Sequence, residues 1–93
     1  MGAADFSLEV IVCNEQGVHA RPSSLIVRLA TDFEATISIE HVVEGFSVNA
    51  KSVMEIITLA APKGTALCVA AVGADAEDAV RAIATLIESG FEE

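Results

Sequence analysis

Tryptophan and tyrosine are absent from this chain, and its only aromatic side chains besides histidine are four phenylalanines. A core must therefore come mainly from Val, Ile, Leu and Ala. Cations are scarce too: five Lys and Arg face fourteen Asp and Glu, for a net charge of −9. That balance argues against nucleic acid and anionic membrane surfaces as partners, because both attract basic proteins. Cys13 and Cys68 are too few for a disulfide framework, and no CxxC or Cys/His metal spacing exists, so no metal is expected and the cytoplasm is the default compartment. No apolar run approaches the ~20 residues that span a bilayer, and the start lacks a basic region followed by an apolar one. Met1-Gly2 opens like a myristoylation signal, but Phe6 stands where Ser or Thr is needed. Linkers, repeats and low-complexity segments are also missing. Residues 1–93 read as one domain, large enough for a single core.

What is present is clear periodicity. Leu8, Val10 and Val12 alternate and predict a strand over residues 8–13, followed by a loop at residues 14–17. Leu25, Ile26, Leu29, Ala30 and Phe33 form one stripe of a helix over residues 22–33. Residues 35–39 and 46–50 alternate on either side of the turn signal Glu44-Gly45, which predicts a hairpin. Ser52 and Glu55 have capping-box spacing and open a short helix reaching about Leu59 or Ala60. Leu67, Val69 and Ala71 alternate in a strand over residues 66–72. Asp75 is placed to cap a last helix running through Ser89, with Glu77 and Asp78 in its first turn and Gly90 as its stop. The order is β-α-β-β-α-β-α. Strands with one apolar face predict an antiparallel sheet covered by helices on one side, an α+β two-layer domain. A ferredoxin-like arrangement would suit the same order.

One hexapeptide carries chemistry. Gly17-Val18-His19-Ala20-Arg21-Pro22 lies between a strand and a helix, which puts His19 and Arg21 at a helix N-terminus with Pro22 in the first turn. Unpaired N–H donors and the positive end of the helix dipole hold anions there, phosphate especially. A neutral imidazole at that spot can attack phosphorus. Arg21 adds a planar fork of donors suited to phosphate oxygens. Singly, each residue has a plain structural role: a turn, a helix start, a solvated cation. Together they place nucleophile, anion donors and cation at one point.

The pattern G-x-H-x-R-P after a first strand resembles the HPr family of the bacterial phosphotransferase system. The resemblance extends over about residues 6–91 and includes Ala50-Lys51-Ser52-Val53-Met54, similar to the segment around that family's regulatory serine, and the turn Pro62-Lys63-Gly64-Thr65. It implies an open-faced sandwich of four antiparallel strands under three helices. It also implies a stoichiometric phosphocarrier that needs no cofactor and is not an enzyme. Enzyme I, charged by phosphoenolpyruvate, would phosphorylate His19 on Nδ1, and the group would pass to a IIA domain. Gly17, Pro22, Arg21 and the backbone N–H groups of Ala20 and Arg21 would shape the phosphate site. A monomer is expected.

The short helix has almost no polar face. With Ile56, Leu59 and Ala60 assigned to the core, Val53, Met54 and Ile57 are left as an exposed apolar patch of the kind that binds proteins. Met suits a surface that fits several partners. The resemblance makes this patch, with Ser23, Arg28 and Lys51, the docking surface for donor and acceptors. Ser52 is explained as a helix cap. A phosphate on it, set by a serine kinase and removed by a phosphorylase, would place charge beside the patch and disfavour docking.

Other candidates are weaker. His41 reads as a solvated edge histidine, Cys13 and Cys68 as partly exposed thiols that nothing activates, and Glu77-Asp78 and Glu92-Glu93 as helix-start and tail charges. Glu55 stands where the family commonly has Gly or Lys, and Gln16 where it often has Asn or Ser. The ending Ser89-Gly90-Phe91-Glu92-Glu93 is similar to that of NPr, the nitrogen-branch paralogue, so sugar and nitrogen branches are both open. Two rival readings are a regulatory binding domain acting through the Met54 patch, and an enzyme using His19 and Arg21 on phosphate esters. The enzyme lacks a second acid/base residue near the motif.

Overall fold

In the computed structural model, which describes residues 4–92, the alternating segments are strands and the amphipathic ones helices. The Met1-Gly2 start and the tail charge Glu93 lie outside those residues. The elements are β1 (Phe6–Ile11), α1 (Ala20–Ala30), β2 (Thr36–His41), β3 (Phe46–Asn49), α2 (Val53–Ile57), β4 (Ala66–Val72) and α3 (Ala76–Glu88), with a tight turn at Gly90–Glu92. The sheet order is β1-β4-β2-β3, every pair antiparallel. β1 lies at an edge, where a ferredoxin-like sheet would place it inside. The open-faced arrangement is the one adopted.

Alternation decides which face is covered. Val10, Ile37, Ile39, Leu67, Val69 and Ala71 turn inward and are buried. There they meet Ile26 and Ala30 of α1, Ile56 of α2, and Ala79, Val80, Ile83 and Ile87 of α3. Fully burying each Val, Ile or Leu among them contributes about 1.5–3 kcal/mol. Residues of opposite parity make the open face, where Cys68 sits in register between Glu9 on β1 and Glu40 on β2.

Several sequence expectations are corrected. α1 ends at Ala30, not Phe33, because the bonds Asp32 N–H to Leu29 and Phe33 N–H to Ala30 span only three residues and tighten the chain into a turn. α2 stops at Ile57 for the same reason: Thr58, Leu59 and Ala60 each donate three residues back. Ala60 then adopts a left-handed φ of 45° and turns outward, so Leu59 enters the core and Ala60 is exposed. The capping box is half formed. Ser52 Oγ accepts from the Glu55 N–H at 3.3 Å, but the Glu55 carboxylate accepts from Asn49 N–H at 2.9 Å rather than from Ser52. Asp75 occupies the N-cap position of α3 without capping it. Its two carboxylate oxygens instead accept from the N–H groups of Glu34 and Ala35, at 2.9 Å each, and so pin the start of β2.

Past α3 the chain does more than stop. Gly90 and Phe91 are both left-handed, at φ 73° and 59°, and this reversal drives the Phe91 ring fully into the core.

Candidate functional site

The loop between β1 and α1 is held from three directions. Gly17 has φ 71°, and a Cβ there would overlap the carbonyl oxygen of Ala61 and crowd the Pro62 Cα. Only glycine satisfies both demands. Val18 donates its N–H to that same Ala61 carbonyl at 2.8 Å. The Asn14 side chain, 6% exposed, donates Nδ2–H to the Gly17 carbonyl at 2.8 Å.

His19 leaves this loop as the N-cap residue of α1, with extended backbone and no side-chain cap bond. Its ring is half-buried, and Nε2 is sealed from solvent. The first helical bond runs from the Ser23 N–H to the His19 carbonyl at 2.9 Å. Pro22 has no N–H, so the donors ahead of that bond are those of Ala20 and Arg21. The first turn of α1 holds no acidic residue of its own. Arg21 is exposed in that turn. The arrangement suits an anion brought up to the imidazole.

Other charges near the loop are occupied. Lys63 and Glu15 pair at 2.8 Å on the surface; their hydrogen bond holds the Glu15 carboxyl below its ordinary range and the Lys63 ammonium above its own. Arg28 is exposed in the last turn of α1, about 13 Å along the helix from His19 at 1.5 Å per residue. Two bonds fix how α2 lies against α1: Val18 N–H to Ala61 O at the start of α1, and Lys51 Nζ to Phe33 O, 2.7 Å, beyond its end. The helices are antiparallel. Ile57 therefore points toward the His19 end, while Lys51 and Ser52 lie at the far one.

Met54 is 78% exposed and Ile57 42%, so the apolar patch exists. Val53 is only half-buried surface, and Lys51, also half-buried, commits its ammonium to a backbone carbonyl. Ser23 is overturned as a docking residue: it is fully buried, and its Oγ donates to the His19 carbonyl at 2.7 Å. The exposed serine is Ser24, three positions from Arg21 and four from Arg28 on one helix face. That spacing was the signal for it. The sequence reads Asn14 as loop, since nothing in it distinguishes a buried Asn from a solvated one.

The remaining candidates are dispersed. His41 is half-buried, accepts the Glu44 N–H on Nδ1 at 3.2 Å and stacks on Phe46. The Cys68 thiol is pushed up by burial and then by the carboxylates of Glu40 and Glu9, opposite to what a nucleophile needs. Cys13 is exposed and bonds the Glu88 carbonyl at 3.2 Å. Among the described residues no cluster of three or more His, Cys, Asp or Glu could hold a metal ion, and no helix is long and apolar enough to cross a membrane.

Comparison with known proteins identifies the family. The family described as PTS HPr component phosphorylation site matches residues 6–89. The multiphosphoryl transfer protein of Haemophilus influenzae is 38% identical over 84 residues, covering 89% of this chain but 17% of that longer protein. The structure of HPr-C-His from Thermoanaerobacter tengcongensis superposes with a TM-score of 0.88 at 38% identity, covering 95% of this chain and 97% of that one. The phosphocarrier protein HPr of Bacillus anthracis gives 0.82 at 39% identity, over 88% and 95% of the two chains. With the strand order, the helix-start histidine and this match over nearly its whole length, the chain belongs to the HPr family of the phosphotransferase system.

Proposed function

We propose that this chain is a phosphocarrier: His19 accepts a phosphoryl group from phosphorylated enzyme I and hands it to a IIA domain. The observation that carries the reading is the placement of His19 as N-cap of α1, with Nε2 sealed and no acidic residue in the first turn. A sealed Nε2 leaves Nδ1 as the attacking atom, and a lone pair on Nδ1 requires the proton on Nε2. As the bond from Nδ1 to phosphorus forms, the donor's bond to phosphorus breaks and the donor keeps its electron pair. The N–H groups of Ala20 and Arg21 and the Arg21 guanidinium stabilise the phosphoryl oxygens. Transfer onward reverses the same step. This is stoichiometric relay without a cofactor, so the protein is a carrier and not an enzyme.

Docking uses Met54 and Ile57, flanked by Ser24 and Arg28 on α1; partner surfaces of donor and acceptor take turns on this patch. Phosphorylation of Ser52 by a kinase, reversed by a phosphorylase, would act at the far end of α2 from His19. It would weaken docking beside Val53 and Met54 rather than block the imidazole. The NPr-like ending carries no weight for either branch, because Phe91 is a core residue and its presence reports packing.

The test is intact-mass measurement after incubation with phosphoenolpyruvate and, in parallel, sugar-type and nitrogen-type enzyme I. The wild type gains one acid-labile, base-stable phosphoryl group and His19→Ala gains none. Equal labelling of the two proteins overturns the relay.

A further inference from the structure

Only two polar side chains are buried among the described residues, Asn14 at 6% and Ser23 at 0% exposure. Buried polar groups cost free energy unless hydrogen-bonded, and an apolar residue would fill either position without that cost. Both spend a donor on the same short stretch of backbone. Asn14 Nδ2 binds the Gly17 carbonyl at 2.8 Å, and Ser23 Oγ binds the His19 carbonyl at 2.7 Å. Between them, the Val18 N–H is taken by Ala61 at 2.8 Å. Three consecutive residues, Gly17, Val18 and His19, are thus each anchored through their backbone.

The Asn14 side is itself braced. Gly17 N–H returns to the Asn14 carbonyl at 3.2 Å, closing a tight turn. Next to it, Cys13 Sγ donates to Glu88 O at 3.2 Å, and a Cβ on Gly90 would touch both Asn14 Cβ and Cys13 Sγ at 3.7 Å. The turn is therefore backed by the end of α3. The Ser23 side is braced by α1 itself, one turn into the helix.

We infer that Asn14 and Ser23 are a pair of positioning residues that clamp the backbone on either side of His19, and so fix the direction in which its imidazole is presented. Neither touches the phosphoryl group. The inference rests on His19 being the acceptor. A relay nucleophile gains from such a clamp because transfer to and from different partners requires the same in-line approach each time, and small misplacements of a reacting group cost large factors in rate.

The experiment uses Asn14→Asp, which keeps the shape but puts an acceptor against the Gly17 carbonyl, and Ser23→Ala, which removes the hydroxyl. Val80→Ala, a core change remote from the loop, controls for lost stability. Each protein is assayed as substrate of enzyme I, and the His19 ring is followed by its 15N and 13C resonances through a pH titration. For both clamp variants kcat falls about tenfold or more while KM holds, because the Met54 patch is untouched, and the His19 ring signals shift or broaden. Val80→Ala lowers the melting temperature and leaves kcat and the ring signals as in wild type. Folded Asn14→Asp and Ser23→Ala with wild-type kcat and wild-type ring signals overturn the clamp. A wild type that takes no phosphate on His19 overturns the relay instead, and the ring signals then decide the clamp by themselves.

Discussion

Gly17 shows how much one residue of the motif is set by its surroundings rather than by chemistry. Its duty is conformational, and it meets two separate demands, a left-handed φ and contact with Ala61. The left-handed backbone alone costs an L-residue roughly 1–2 kcal/mol. At Gly17 the backbone must also shift, since the obstacle is a carbonyl oxygen and not a flexible side chain. Gly17→Ala is therefore expected to lower the urea midpoint and slow His19 phosphorylation together. Gly45 is the matched control: its φ is 77° but nothing lies within 4 Å of a Cβ there. Gly45→Ala should show only the backbone cost and leave phosphorylation unchanged. Equal effects of the two substitutions on phosphorylation would mean that the Ala61 contact does not shape the site.

At the scale of an element, α2 is too short to be stable by itself and is held at both ends by other parts of the chain. Burial of Ile56 and Leu59 and the bonds at Ser52 and Ala61 fix it, which leaves Met54 no structural duty. Met54→Glu is expected to change stability by less than about 0.5 kcal/mol, as exposed substitutions do. A carboxylate in a desolvated interface is costly, so phosphoryl transfer should slow strongly. An unchanged transfer rate in the folded variant would move docking elsewhere. The start of α3 offers a second test. The Asp75 carboxyl is held below its usual range, first by the Glu34 N–H and also by that of Ala35. A folded pKa depressed in this way stabilises the native state above the unfolded value of about 3.9, and the contribution is lost as pH falls through the folded pKa. The stability difference between wild type and Asp75→Asn should be constant near neutrality and shrink below about pH 4. A difference that grows on acidification would contradict the assignment.

For the molecule as a whole, the C-terminal turn closes the core. Phe91 is fully buried although its backbone is left-handed, so packing outweighs local strain at that position. Phe→Ala changes in cores cost about 3–5 kcal/mol, a large part of the ~5–15 kcal/mol available to a domain. Phe91→Ala should lower the thermal midpoint by many degrees. It should also loosen the loop at Asn14, since Gly90 abuts Cys13 and Asn14. Hydrogen exchange at Val18 and Gly17 in the variant checks that coupling.

Much of this protein follows from residue order alone. Period-two alternation placed the inward faces of β1, β2 and β4, because a strand's two faces are fixed by parity. Glycine, histidine, arginine and proline at their spacing put His19 and Arg21 at the start of α1, because a helix start is set by local residues. What needed the folded chain were the contacts between residues far apart in sequence. Asp75 turned from a cap into a pin for Glu34 and Ala35, Ser23 from a surface residue into an anchor, and Phe91 from tail to core. No local pattern distinguishes these outcomes. A carboxylate, a hydroxyl or a ring takes whichever partner the fold delivers, and that choice is made only when distant segments close around one core.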